Sequence, residues 1–291
     1  MPEDEEVCAI KCFCFTGGIV MGFFGKLFEK KECSICGGEI GLLGNRKLED
    51  GNMCKNCAAK LSPWFEDRRS STIAQVNEQL AYREDNKTKV AVFNVTRTLG
   101  KNPKVLLDED AGVFIVTMEN DWQAENPDVL SFTDVTGCEL DIEESKWEMT
   151  YTDKEGKSAH YNPPRYRYSY HFYVDVHVRH PYFDNMRFKL NGFSVDIETT
   201  GGMRGKAGAG VMNRMASGIV AFNPETDPEY RKYLTMGEEI KEALMTGRQQ
   251  ARNEMAAAAA PKMSVTCSYC GATTTPDASG CCEYCGGALN G

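Results

Sequence analysis

The sequence predicts an α+β protein: a central antiparallel β domain, closed by a helix on its C-terminal side, set between two small four-cysteine modules. Three observations carry this. Eight of the 13 cysteines fall into Cys-x-x-Cys pairs, two pairs near each end of the chain. Between about residues 89 and 198 apolar and polar side chains alternate, the period of a strand with one buried face. A stripe of helical spacing follows, opened by Asp227 and Pro228. With 291 residues, 42% of them hydrophobic and 26% charged, the chain has material for about two domains and a substantial core.

Residues 1–20 read as a disordered N-terminal extension holding Cys8, Cys12 and Cys14. Glu3, Asp4, Glu5 and Glu6 stand where a secretory signal needs positive charge. The apolar stretch from Phe13 to Phe24 is broken by Thr16, Gly17 and Gly18 and is too short to span a bilayer. No transmembrane segment is expected, and the features together predict a cytoplasmic, reducing location in which free thiols are normal.

Residues 21–87 form the first module and residues 263–291 the last. Cys33 and Cys36 are followed after seventeen residues by Cys54 and Cys57; Cys267 and Cys270 are followed after eleven by Cys282 and Cys285. Each set is a complete four-thiolate shell. Zn(II) takes four soft ligands tetrahedrally at about 2.3 Å, and a two-residue spacer lets one turn deliver both sulfurs of a pair. Gly37, Gly38, Gly271, Gly286 and Gly287 supply the backbone freedom that such a turn needs. A redox dithiol is the rival, but it sits singly at a helix start, whereas these pairs come in twos within segments too short to fold unaided. The sequence therefore predicts two Zn(II) per chain. Of the adjacent Cys281 and Cys282, only Cys282 gives the two-residue spacer to Cys285. Four cysteines leave no open position for water, so the sites are structural rather than catalytic.

The first module ends in a helix with Thr72 as N-cap, Gln75 completing a capping box, and Ile73, Val76 and Leu80 on one face. Before it, Pro63 stops a short helix beginning near Cys54, and Trp64 and Phe65 are expected to pack against the zinc module.

Residues 88–247 form the central domain. Val105 to Leu107 and Val113 to Met118 flank a turn as a hairpin; Val129 to Val135, Cys138 to Ile142, Trp147 to Thr152, Met186 to Leu190 and Phe193 to Ile197 supply further strands. The clearest strand has Tyr166, Tyr168, Tyr170, Phe172, Val174, Val176 and Val178 on its core face, with Arg167, Ser169, His171, Tyr173, Asp175 and His177 facing water. The glycine-rich loop 201–218 lacks the G-x-x-x-x-G-K-[ST] pattern of a phosphate loop and reads as a weakly basic connection. The closing helix carries Tyr230, Leu234, Ile240 and Leu244 as its stripe, and residues 248–262 read as a helical spacer.

Charge argues against nucleic acid as the partner. Residues 88–200 carry 12 Lys/Arg against 19 Asp/Glu, residues 21–87 carry 11 against 10, and the last module has no Lys or Arg. Arg46, Lys47, Arg68 and Arg69 are the best phosphate contacts the first module offers, and Arg165, Arg167 and Arg179 the best basic edge of the sheet for peripheral membrane contact.

The segment Cys33 to Arg69, with Gly41-Leu42-Leu43-Gly44-Asn45-Arg46-Lys47-Leu48-Glu49-Asp50-Gly51 between its cysteine pairs and Leu61-Ser62-Pro63-Trp64 after them, resembles the bacterial domain of unknown function 4428 family. That resemblance implies a zinc module of no known activity. Family members commonly begin with residues like Met21-Gly22-Phe23-Phe24-Gly25-Lys26, which marks residues 1–20 as an upstream extension. Several antiparallel strands closed by one helix also resemble a pleckstrin-homology-like barrel.

His160, His171, His177 and His180 form no spaced ligand or triad signature, and Cys138, inside a strand pattern, reads as a small buried hydrophobe. The functional expectation is a non-enzymatic, zinc-binding adaptor acting through a protein partner. A membrane-surface adaptor working through the central domain, or nucleic-acid binding through the first module, is the alternative.

Overall fold

The computed structural model describes residues 31–200, 222–259, 264–277 and 279–289. The extension 1–20, the segment Met21 to Lys26 and the glycine-rich loop 201–218 lie outside the described residues. The chain divides into two compact units, one ending at Leu61 and resuming over Asp67–Glu78, the other made of Ser62–Glu66 and everything from Gln79 onward.

The first unit is built from short ladders. Strand β1 (Lys31–Glu32) pairs with β2 (Glu39–Ile40), and β3 (Arg46–Lys47) with β4 (Asn52–Met53); helix α1 (Lys55–Ala58) follows. Leu48 and Met53 are fully buried in it. The start of helix α2 (Ile73–Val92) is fixed here: the Thr72 N–H donates to Gln75 Oε1 at 2.9 Å, the Gln75 N–H to Thr72 Oγ1 at 3.3 Å, and the Ile73 N–H to Asp50 Oδ1 at 2.8 Å. The expected capping box is therefore present.

Helix α2 runs past Lys89, where the alternation suggested strand. Val90 and Phe93 look strand-forming but are buried with Leu106, Ile115 and Val129, Val90 at helical spacing from Asn86. The buried stripe of α2 is also not the expected Ile73, Val76 and Leu80. It is Val76, Gln79, Arg83, Asn86 and Val90, polar through its middle. Of these, Arg83 and Asn86 are answered from a loop some forty residues on, while the buried Gln79 amide is not. Arg83 Nη1 donates to Asp128 Oδ1 at 2.9 Å, Ser62 Oγ to Asp128 Oδ2 at 2.7 Å, Asn86 Nδ2 to the Pro127 carbonyl at 2.7 Å, and the Val129 N–H to Asn86 Oδ1 at 3.0 Å. A buried charge is tolerable only when paired in this way. Trp64 and Phe65 also differ from expectation. Their rings lie 6.5 Å from Phe188 and 6.3 Å from Tyr182, so both pack on the central domain.

The central domain holds two four-stranded antiparallel sheets. In the first, β5 (Arg97–Gly100), β6 (Lys104–Asp108), β7 (Val113–Thr117) and β8 (Leu130–Ser131) pair in sequence order, with the short helix α3 (Trp122–Glu125) between β7 and β8. In the second, β12 (Arg165–Val178) is central: β9 (Val135–Glu148) runs along one side, while β13 (Asn185–Lys189) and β14 (Val195–Thr200) share the other. Strands β10 (Thr150–Thr152) and β11 (Ser158–His160) make a separate hairpin. The stretch read as a strand at Cys138 to Ile142 is thus the inner part of a 14-residue strand, β9, which runs on exposed from Glu143 to Glu148. The stretch read at Trp147 to Thr152 is divided between the end of β9 and β10.

The antiparallel sheets and closing helix are as expected, but the pleckstrin-homology-like barrel is not formed: no ladder joins the two sheets among the described residues. The break is local. After β8 the chain enters a 3₁₀ turn, Phe132–Asp134, held by a capping box between Ser131 and Asp134, so β8 cannot run on into β9 as a shared corner strand.

Helix α4 (Pro228–Ala259) supplies the closure. Asp227 Oδ1 accepts from the Glu229 and Tyr230 N–H groups at 2.8 and 3.0 Å, as an N-cap should. Ile240 and Leu244 enter one core with Leu99, Val105, Phe114, Phe172 and Val174. Gly237 and Gly247 complete the buried stripe because a Cβ there would press on Leu140 and Phe132, the latter at 3.0 Å. The expected spacer is not a separate element: α4 continues unbroken through Ala259, its last turns exposed.

On β12 the core face is as expected from Tyr170 to Val178, all buried. The opposite face is not simply wet. Asp175 is buried, ion-paired to Arg187, which also reaches Asp141 at 2.8 Å and Glu143 at 2.9 Å and lies 4.2 Å from the Tyr173 ring centre. Ser169 is buried beside Asp196. Arg187 drives the difference at Asp175, whose carboxylate it covers and pairs, while Asp141 and Glu143, which it also binds, stay exposed. After α4, strands β15 (Val265–Thr266) and β16 (Thr273–Thr274) begin the C-terminal ribbon.

Candidate metal centres

Three of the four cysteine pairs adopt the same turn. The Gly37 N–H donates to the Cys33 carbonyl and the Cys33 N–H to the Gly38 carbonyl, both at 2.8 Å. In the ribbon, Gly271 and Cys267 repeat the first bond and Gly286 and Cys282 repeat it again, each at 2.8 Å. Gly37, Gly271 and Gly286 have φ of 71°, 72° and 70°, a region that disfavours any side chain. The fourth pair differs. Cys54 is the N-cap of α1, and its Sγ accepts from the Cys57 N–H at 3.3 Å. The first centre is therefore one turn plus one helix start, while the ribbon's centre is two equivalent turns.

Within each group of four, all Sγ atoms lie within 4.8 Å of one another. Cys36 and Cys54 are 3.9 Å apart, Cys267 and Cys285 3.6 Å, Cys270 and Cys282 3.7 Å. A tetrahedron of sulfurs with bonds of about 2.3 Å to a central ion has edges of about 3.8 Å. The same separations are far beyond a sulfur–sulfur bond of about 2.05 Å, so the groups are not disulfides. Cys281 stays outside the ribbon's group, its Sγ 3.8 Å from the Ser279 carbonyl.

The thiols are set up to lose protons unequally. Burial pushes the Cys33 thiol up, but the backbone N–H groups of Cys54, Cys36 and Ile35 together hold it down to about 6. In the ribbon the Cys270 N–H, against the opposing effect of burial, brings Cys267 down to about 7. For Cys285 the Gly287 N–H pulls down, but the Cys270 and Cys267 sulfurs outweigh it and push the thiol up to about 12. Burial and the neighbouring Cys54 and Cys36 sulfurs push Cys57 up likewise. In each group the first thiolate forms readily and the last one resists, because four like charges cannot share so small a space. A divalent cation at the centre removes that resistance.

Residues around the first centre that the spacing did not reveal hold it in shape. The Ser34 N–H donates to the Asn52 carbonyl at 2.7 Å, the Asn52 N–H to Ser34 Oγ at 3.2 Å, and Asn45 Nδ2 to Asn52 Oδ1 at 2.9 Å. A Cβ on Gly51 would lie 2.6 Å from Ser34 Oγ, so this position must stay bare. The sequence signal was only the run of small polar residues and glycine beside the cysteines.

The other singled-out residues stand apart. Cys138 is buried, and burial pushes its thiol up to about 12. His160 pairs with Glu148 at 2.9 Å on the exposed hairpin. His180 stacks on Phe183 at 4.1 Å beside Tyr82, and burial lowers its basicity. Arg167 is paired to Glu198 at 2.6 Å and Arg165 lies over the Tyr161 ring at 4.2 Å, so the sheet's arginines do not pool. No helix among the described residues is long and apolar enough to cross a membrane.

Residues 31–79 match the family model described as "Domain of unknown function (DUF4428)", which covers this first centre. No curated protein and no solved structure matches the chain.

Proposed function

We propose that the chain is a non-enzymatic adaptor of the bacterial cytoplasm, in which two Zn(II) ions, one held by Cys33, Cys36, Cys54 and Cys57 and one by Cys267, Cys270, Cys282 and Cys285, rigidify small surfaces that bind a protein partner. The convergence of each four-sulfur group onto tetrahedral spacing carries the reading. An all-thiolate tetrahedral set suits zinc or iron, and zinc is the ion for a structural site without redox work. With four cysteines around it the ion keeps no position for water or substrate, which fits scaffolding better than chemistry.

The ribbon offers a surface for such a partner. Tyr269 and Tyr284 occupy the same place in its two turns, the residue before the second cysteine, and are 74% and 73% exposed. The backbone at Gly287 approaches Tyr269 so closely that a Cβ there would lie 2.7 Å from its ring. An aromatic side chain already held in place loses little freedom on binding, which is why such residues serve as anchors in interfaces. The Tyr269→Ala/Tyr284→Ala double variant should keep both metal ions and lose proteins that the intact chain captures in an affinity pull-down. A capture profile unchanged by the double variant would remove the ribbon from the adaptor reading.

A further inference from the structure

Leu42 and Leu43 lie where a folded chain in water rarely keeps leucine. The Gly44 N–H donates to the Gly41 carbonyl at 2.9 Å, which closes a tight turn with the two leucines at its central positions. Such positions belong to Gly, Pro, Asn, Asp and Ser, for reasons of backbone conformation and local hydrogen bonding. Here they carry two branched apolar side chains, 82% and 91% exposed. Neither contributes to the buried core of its unit, in which the neighbouring Ile40 already takes part. The turn is held at its base: Arg46 Nη1 donates to the Leu43 and Asn45 carbonyls at 3.3 Å each.

Cations from two separate segments gather beside this tip. Arg46 and Lys47 come from β3, and Arg68 and Arg69 from the 3₁₀ turn Glu66–Ser70. Arg68 Nη1 donates to the Lys47 carbonyl at 2.7 Å, which joins the segments. Burial, and then the charges of Arg46 and Arg69, lower the basicity of Arg68, the mark of cations close enough to repel. Acidic residues are near in sequence, Glu49 and Asp50 on one side and Glu66 and Asp67 on the other, and Asp50 is engaged in capping α2. Among the described residues, none of the four cations makes an ion pair.

We propose that this tip of the first zinc module docks on an anionic lipid bilayer, with Leu42 and Leu43 entering the boundary between headgroups and acyl chains and Arg46, Lys47, Arg68 and Arg69 meeting lipid phosphates. Apolar insertion and electrostatic attraction reinforce each other at such a surface, and neither alone holds a protein there. The pair of leucines separates this occupant from nucleic acid. A nucleic-acid surface would use the cations but gives two aliphatic side chains nothing to enter, and bases stack on aromatic rings rather than on leucine. The bilayer would thus be a second partner class for the proposed adaptor, reached through a module other than the ribbon.

Co-sedimentation of the full chain with vesicles tests this. The protein should pellet with vesicles of mixed phosphatidylcholine and phosphatidylglycerol and stay in solution with phosphatidylcholine alone. Leu42→Ser/Leu43→Ser should weaken partitioning by at least about tenfold, and Arg68→Gln and Arg69→Gln by about fivefold each, with both metal ions retained in every variant. A Leu43→Trp variant should show a blue-shifted emission on adding the anionic vesicles. Absence of binding to anionic vesicles would overturn the proposal, and so would binding indifferent to the serine pair. Salt-dependent retention on double-stranded DNA or RNA, unaltered by the serine pair and without vesicle binding, would assign the cations to nucleic acid instead. The ribbon pull-down is independent of all these outcomes, so failure here leaves the adaptor reading standing.

Discussion

Stripping the metal with a strong chelator should unfold the C-terminal ribbon while the central domain keeps its structure. Within residues 264–277 and 279–289 the buried side chains are Cys267, Cys282 and Thr274, two of them metal-site cysteines, and no aliphatic or aromatic side chain is buried. A segment of this size cannot offset its conformational entropy without a core, whereas a structural zinc site is worth about 10–16 kcal/mol of apparent binding free energy. Amide signals from residues 264–289 should collapse to random-coil positions on chelation and return with zinc. Those of β9, β12 and α4 should hardly move. Acidification should act in the same direction, because every ligand must shed a proton to bind, so metal affinity falls as pH falls.

The second large effect is expected in the central sheet. Phe172 is fully buried, its ring 5.0 Å from Tyr230 and 5.7 Å from Tyr233, so it joins β12 to α4. Phe172→Ala removes that contact and leaves a cavity that the packed helix cannot collapse into, at a cost of about 3–5 kcal/mol. A domain commonly has about 5–15 kcal/mol of stability in total. Chemical denaturation should show a large fall in the midpoint for the β-rich domain, with the metal content of the chain unchanged. A loss below about 1 kcal/mol would mean that α4 is not packed on β12 as described.

The sequence revealed the parts of this molecule that rest on short-range rules. Metal coordination constrains cysteine spacing, so the two groups of four sulfurs that the fold brings together, with Cys281 outside them, were legible directly, and the turns around them show in Gly37, Gly271 and Gly286. Helix starts were equally plain, because Thr72 with Gln75 and Asp227 with Pro228 act within one turn. What escaped depends on partners far along the chain. Arg83 and Asn86 look solvent-facing until Asn126, Pro127 and Asp128 come to meet them. Asp175 looks exposed on an alternating strand until Arg187 covers it. The absence of a barrel turns on the few residues of the 3₁₀ turn after β8, and the arginine cluster beside Leu42 and Leu43 joins segments separated by about twenty residues.

The central claim is that this chain is organised by two closed tetrathiolate zinc centres, and metal analysis of freshly purified, full-length protein tests it most directly. The account predicts two zinc ions per chain, two in Cys281→Ser and one in Cys282→Ser. One ion or none in the intact protein, another metal in place of zinc, or loss of an ion from Cys281→Ser with both kept by Cys282→Ser, would contradict it.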